Sequence, residues 1–264
     1  MIYLKNRLQL DCMRKAGALL FEVLCRLKEA VKPGTSTAAL DVYAEQLIRK
    51  HGAIPSFLNY HGFPASICTS VNEQVVHGIP SEGVILKEGD IVSVDCGLIL
   101  DGWQSDSAFT VGVGDISPEA RKLIDVTEES FFKGIRKAVQ GNRLGDIGYA
   151  VQNYAESFGY GVVRDLTGHG IGRNMHEEPS VPNFGRKGHG TKLRPGMTLA
   201  IEPMIAMGTY QVQELEDGWT IVTQDESLCA HYEHTIAVNE KGLPELLSYP
   251  DFVLTEETDE EHSL

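Results

Sequence analysis

No apolar run in the chain approaches the roughly 18 residues of a membrane span. The opening residues, MIYLKNRLQLDCMRKAG, scatter charges where a secretory leader would place its apolar stretch. Cysteine is scarce: five residues, odd in number and widely spaced, with no CxxC pair, which excludes a disulfide scaffold and reads as reduced thiols in a cytoplasmic protein. Positive charge is short as well. Lys and Arg number 23 against 37 Asp and Glu, and the net charge of −14 argues against a duplex-DNA binder, which needs a cationic face. Three motifs are missing: the GxxxxGK[ST] phosphate loop, the GxSxG nucleophile elbow and the HExxH zinc helix, since MHEEP has no second histidine at that spacing.

What is present is an acidic, globular composition. Apolar residues make up 42% of 264 residues, too many for a disordered chain, and that length fits one large domain or two small ones. No Ser/Gly/Pro-rich linker divides it, so residues 1–250 read as a single domain. The acidic run from Glu256 to Glu261 places a solvated, flexible tail over 251–264. With no coiled-coil repeat, a monomer is expected.

Apolar residues at Leu8, Met13, Ala16, Leu20, Val23, Leu27 and Ala30 form a helical stripe over 6–30, ended by Pro33-Gly34. Ser36 caps a second helix that reaches His51. Ser117-Pro118 opens a third, expected to run to Gln140, and a fourth covers Asp146–Phe158. Strand-like sequence fills 54–112 and returns from about 160 to 249. Two helices followed by strands thus occur twice, and Gly34–Gly52 repeats the spacing of Gly141–Gly159. The order predicts an α+β fold of two duplicated halves related by a pseudo-twofold axis, with antiparallel strands meeting in the middle and helices over one face.

Asp101-Gly102, between two alternating apolar runs, predicts a two-residue hairpin turn. With Leu100 facing Trp103, Asp95 lies opposite Ala108 and Asp106 is one diagonal step away on the same face, about 7–8 Å off at Cα. Two buried carboxylates so placed need a shared proton or a cation, the alternative being that both point to water. LTGHGIGRNMHEEP adds His169 and His176 around three glycines. MTLAIEPMIA ends an apolar strand at Glu202-Pro203, and CAHYEHTIAV sets Glu233 inside another. Two Asp, two Glu and one His on strands and a glycine loop suit a pair of divalent cations.

Together the motifs YHGFPASICTSVNEQVVHGIP, VDCG…DGWQSDSAFTVGVG, TGHGIGRNMHEEP, LRPGMTLAIEPM and DGWTIVTQDESLCAHYEHTIAV resemble the bacterial-type (type I) methionine aminopeptidases, in the family's order from about residue 1 to 245. The resemblance implies the pita-bread fold, with a curved central antiparallel sheet. It also implies removal of N-terminal methionine from nascent chains whose second residue is small. It places five metal ligands on Asp95, Asp106, His169, Glu202 and Glu233, with Asp106 and Glu233 bridging two cations. Asp95 would complete one cation's set, His169 and Glu202 the other's. Cobalt, iron, manganese and zinc all suit such a set. Two cations sharing a water lower its pKa enough to supply hydroxide at neutral pH. The implied roles are proton shuttle for Glu202, oxyanion donor for His176, and hydrogen bonding to the scissile nitrogen for His77. Tyr60, Phe63, Cys68 and Trp219 would line the methionine slot, and Cys68 reads equally well as plain core.

Three departures from the family's usual wording bear on pocket shape: Val76, Met175 and Gln104-Ser105. The basic stretch Arg186–Arg194 reads as a solvated loop, with contact to ribosomal RNA as the other reading. Rival functions are an Xaa-Pro aminopeptidase or prolidase on the same fold, or a non-catalytic pita-bread binding protein. The first usually carries a histidine four residues before the GHG histidine, where this chain has Asp165. The second loses ligands that this chain retains.

Overall fold

The computed structural model describes residues 1–256; the acidic run from 257 onward, and with it most of the expected 251–264 tail, lies outside the described residues. The first half holds α1 (Arg7–Ala30), α2 (Thr37–Lys50), β1 (Ile54–Pro55), β2 (Ile67–Val71), β3 (Gln74–Val76), β4 (Ile91–Leu100) and β5 (Trp103–Gly112). The second opens with α3 (Pro118–Ile135), α4 (Leu144–Ser157), β6 (Gly161–Val162), β7 (Gly168–Gly170), β8 (Glu177–Val181) and β9 (Thr198–Ile201). It continues through β10 (Met204–Ala206), β11 (Val212–Glu214), β12 (Ile221–Thr223), β13 (Cys229–His231), β14 (Glu233–Ala237) and β15 (Glu245–Leu246). No helix among the described residues is long and apolar enough to cross a membrane.

The helix starts follow the capping chemistry. The Ser36 and Ser117 hydroxyls accept hydrogen bonds from the amides of Ala39 and Ala120, and Asn6 and Gln9 form a reciprocal box at the first turn of α1. Two expectations need correction. The buried stripe of α1 begins at Met13, because Leu8 is 76% exposed on the first turn, before the helix reaches the sheet. Helix α3 stops at Ile135, not Gln140: the Lys137 and Ala138 amides bond three residues back, tightening the chain into a turn that Gly141 completes at φ +96°.

Nine of the described strands form one antiparallel sheet in the order β1–β4–β5–β14–β9–β7–β8, with β2 also on β4 and β15 on β14. The two halves meet where β5 pairs with β14. The duplication is visible in the backbone. Helix α4 repeats α2 at a displacement of 107 residues at both ends, 144 against 37 and 157 against 50. The isolated bridges Ser36↔Ile85 and Arg143↔Lys192 repeat at that same displacement. Strands β4 and β9 start 107 residues apart too, at 91 and 198, so Asp95 and Glu202 occupy equivalent places in the two halves.

The four α-helices of the described residues cover one face of the sheet. Val92, Val94, Cys96 and Leu98 face α1 and α2 in one core cluster; Leu199, Ile201 and Ile236 face Phe131 and Ile135 of α3 and Ile147 of α4 in another. Each such side chain contributes about 1.5–3 kcal/mol by leaving water. Because strand residues alternate sides, this parity sends Asp95, Asp106, Glu233 and His169 to the opposite face.

Candidate metal centre

The register of the central hairpin is set by its turn. Asp101 and Gly102 take φ values of +51° and +75°, the left-handed pair that a two-residue turn with the twist of the strands requires. Pairing then runs unbroken from Leu100↔Trp103 to Ile91↔Gly112, which puts Asp95 opposite Ala108 and Asp106 opposite Gly97. A side chain at Gly97 would meet Met175 Cε at 2.7 Å and Phe57 Cε1 at 2.9 Å, so the position facing Asp106 has no room for one. Strand β14 pairs Glu233 with Ala108, and the Thr235 hydroxyl accepts from the Asp106 amide and donates to the Asp106 carbonyl. Across β9, His169 pairs with Ala200, and Glu202 follows the strand's last residue with its carbonyl accepting from Asn183 Nδ2.

These strands bring the four carboxylates and one imidazole together. Ligand atoms of Asp106, His169 and Glu233 all lie within 4.8 Å of one another. His169 Nε2 is 3.7 Å from Asp106 Oδ2 and 3.6 Å from Glu202 Oε1. Burial pushes Asp106 up to about 7, and pushes Asp95, Glu202 and Glu233 well above the usual carboxylate range, each raised further by neighbouring acids. Burial lowers His169, so its imidazole is neutral and these short approaches are not ion pairs. Its Nδ1 lies 2.9 Å from the Gly170 carbonyl; donation there leaves the Nε2 lone pair facing Asp106 and Glu202, the tautomer that a metal ligand needs.

Asp95 Oδ1, Asp106 Oδ1 and Glu233 Oε1 are buried and meet no hydrogen-bond donor. An orphaned carboxylate oxygen in a low-dielectric site is costly, and divalent cations remove that cost for a whole cluster at once. The residues present therefore fit divalent metal ions bound by oxygen with one nitrogen.

Above this floor is a cavity of about 230 Å³ lined by the four acids and one imidazole just named and by His77, His176, Tyr60, Phe63, Cys68 and Trp219. The edge of Phe63 meets Trp219 at 5.1 Å between ring centroids, and Trp219 faces His77 at 6.4 Å. Tyr60 Oη is 2.8 Å from His176 Nδ1, while the His176 ring lies tilted by 60° against that of His169, with 4.3 Å between ring centroids. Burial, then the neighbouring His169 and His61, lowers His176 to about 4; burial, then His176, lowers His77. Both rings are neutral at pH 7. Burial pushes the Cys68 thiol up, with Asp95 and Asp106 adding to it, so Cys68 is an unreactive wall against Phe63 and Trp219.

Phe57 and His61 also line the cavity, and sequence reasoning passed over both. They sit in an irregular segment where Asn59 and His61 take φ +65° and +49°; the YHG pattern next to a glycine was the only available signal. The three departures stay out of the cavity lining. Val76 packs with Val75 and Met204, Met175 fills the space at Gly97, and Gln104 Oε1 accepts from the Ser56 hydroxyl at 2.6 Å. A larger cavity, about 500 Å³ among Lys133, Arg136, Lys137 and Lys187, shares no residue with this site and gathers a single acid, Asp146.

Comparison with known proteins agrees with this geometry. The pattern of metallopeptidase family M24 matches residues 11–240. A methionine aminopeptidase of Clostridium acetobutylicum is 60% identical over 248 residues, covering 94% of this chain and 99% of that one. The crystal structure of the Rickettsia prowazekii methionine aminopeptidase superposes with a TM-score of 0.92 at 46% identity, over 94% of this chain and 100% of the other. An Xaa-Pro dipeptidase of Bacillus anthracis shares the fold at a TM-score of 0.75 and 23% identity, but only 63% of its length is covered.

Proposed function

The chain belongs to metallopeptidase family M24, and we propose that it works as a methionine aminopeptidase, removing the first residue of peptides that begin Met-(small residue). The observation that carries this reading is the buried cluster of Asp106, His169 and Glu233 at the base of an aromatic-walled cavity. In this reading Asp95, Asp106, His169, Glu202 and Glu233 hold two divalent cations, whose four positive charges match the four carboxylates. Asp106 and Glu233 would serve both cations, Asp95 one of them, and His169 with Glu202 the other. When bound, such a pair supplies Lewis acidity and brings the pKa of a shared water near neutrality.

The chain's own groups do the rest. Glu202, which follows the last residue of β9 and lines the cavity, takes the proton of the attacking water. If the Tyr60 hydroxyl donates to His176 Nδ1, the Nε2–H of that ring is left to donate to the carbonyl oxygen as charge develops on it. His77 donates to the scissile nitrogen. Phe63, Trp219 and Cys68 enclose the methionine side chain, where thioether–aromatic contact adds about 0.3–1.5 kcal/mol. The free α-amine is read at the Asp95 side, which limits cleavage to the first residue.

This reading takes residues 1–250 as one catalytic domain, acting as a cytoplasmic monomer on nascent chains. Residues 186–194 are exposed apart from Leu193, as befits a solvated loop. Hydrolysis of Met-Ala-Ser against Gly-Pro peptides, with added Mn(II), Co(II), Fe(II) or Zn(II), tests the function. Cleavage of the first alone is expected; preference for the second would make this an Xaa-Pro peptidase.

A further inference from the structure

One buried ion pair has no part in the centre just described. Lys5 is 8% exposed, and its Nζ lies 2.6 Å from Glu177 Oε2, with both side chains almost wholly enclosed. The other oxygen of Glu177 accepts from the amides of Arg173 and Asn174 at 2.9 and 3.2 Å. One carboxylate thus closes the 173–177 loop on itself and ties it to the N-terminal arm.

The arm is itself anchored. The Lys5 amide donates to the Gly196 carbonyl at 2.7 Å, two residues before β9, which leads to Glu202. The space around the pair is full: a side chain at Gly172 would meet both Lys5 Cε and Glu177 Oε1 at 2.6 Å. The residue adjoining Glu177 is His176, whose ring stands between Tyr60 Oη and His169.

We propose that Lys5, acting through Glu177, is a positioning residue for His176, so that the N-terminal arm forms part of the catalytic apparatus. An apolar pair of the same volume could pack the site as stably, because desolvating two charges offsets much of their attraction. What the ion pair adds is direction. Its short, enclosed contact fixes where Glu177 sits, and the neighbouring backbone then fixes the imidazole. The inference rests on the reading of His176 as the group that meets the substrate carbonyl.

The test uses the full-length, metal-loaded enzyme with Lys5→Met, Lys5→Arg, Glu177→Gln and His176→Ala. For Lys5→Met, kcat on Met-Ala-Ser should fall about 10-fold, short of the ~10²-fold that a 1 Å misplacement costs, with KM and bound metal unchanged. Lys5→Arg should recover most of it. In ¹⁵N-histidine spectra of the metal-free protein, the His176 resonance should move in Lys5→Met while that of His234, on the helix face of the sheet, stays. Unchanged kcat with an unmoved His176 resonance overturns the proposal, as does a loss that tracks lost metal. Should Lys5→Met fail to fold, Glu177→Gln, which keeps the acceptor for the loop amides, is read by the same criteria. Full activity in His176→Ala would instead defeat the role given to His176, while an unmoved His176 resonance in Lys5→Met would still overturn the positioning by Lys5.

Discussion

Three of the four carboxylates at the base of the cavity ride on strands paired residue by residue, Asp95 and Asp106 within a hairpin of two ten-residue strands and Glu233 beside it. The groups around the mouth ride on irregular backbone. His61 and His77 hold positive φ, and His176 ends a loop that an ion pair secures from 172 positions away. The contrast is also electrostatic. Below, proton affinity is raised in four acids and three of their oxygens meet no donor; above, two imidazoles are kept neutral with hydrogen-bonding capacity to spare. A scaffold with sub-ångström register suits cations that demand fixed distances, whereas loops suit a substrate that must enter and leave.

Variants should split along that line. Replacing Asp106 or Glu233 with Ala should abolish turnover and remove bound metal, as read by elemental analysis beside a Met-Ala-Ser assay. Near wild-type activity in either at saturating metal would break the distinction. His77→Ala should keep its metal and lose on the order of 10²–10⁴-fold in kcat, the usual range for a general acid–base group; loss of metal instead would move His77 into the ligand set.

Smaller effects sharpen the comparison. Trp219→Ala should raise KM by about 2- to 10-fold, the equivalent of the thioether–aromatic contact, and leave metal content alone.

The metal-free fold offers a pH signature of the base. Its acids have raised values, Asp106 about 7, so the folded chain holds protons that the unfolded chain releases. That contribution is complete below the ordinary carboxylate range and is lost as pH climbs through the folded values. The buried imidazoles act in the opposite sense, but only below their ordinary value near 6.5. Between about pH 6.5 and 8 the acids therefore dominate, and Tm of the metal-free enzyme should drop by a few degrees, about 2–4 °C per kcal/mol at this size. Adding a divalent cation should reverse the trend; a Tm that rises with pH without metal would contradict the burial argument.

Much of the base could be read from the sequence because its logic is local. Asp101-Gly102 sets a register that carries Asp95 and Asp106 to one face without any knowledge of the rest of the chain. The matching spacing of four glycines foretold the duplicated helices, all four of them at positive φ. The convergence of His169 and Glu202 on that face needed the sheet order, which the motif resemblance supplied and periodicity did not. Phe57 and His61 stayed hidden in a segment with no repeat, and Lys5–Glu177 joins residues that no sequence window spans. The early end of α3 was missed because Gly141 marks the close of the turn after the helix rather than the helix itself.

The most direct test is a calorimetric titration of the metal-free enzyme with Mn(II) or Co(II), run in parallel with hydrolysis of Met-Ala-Ser. The wild type should bind two cations per chain with activity that rises with occupancy, and Asp106→Ala should show no tight binding. Full hydrolysis of Met-Ala-Ser in excess chelator, or undiminished cation binding by Asp106→Ala, would contradict a catalytic metal centre at this site.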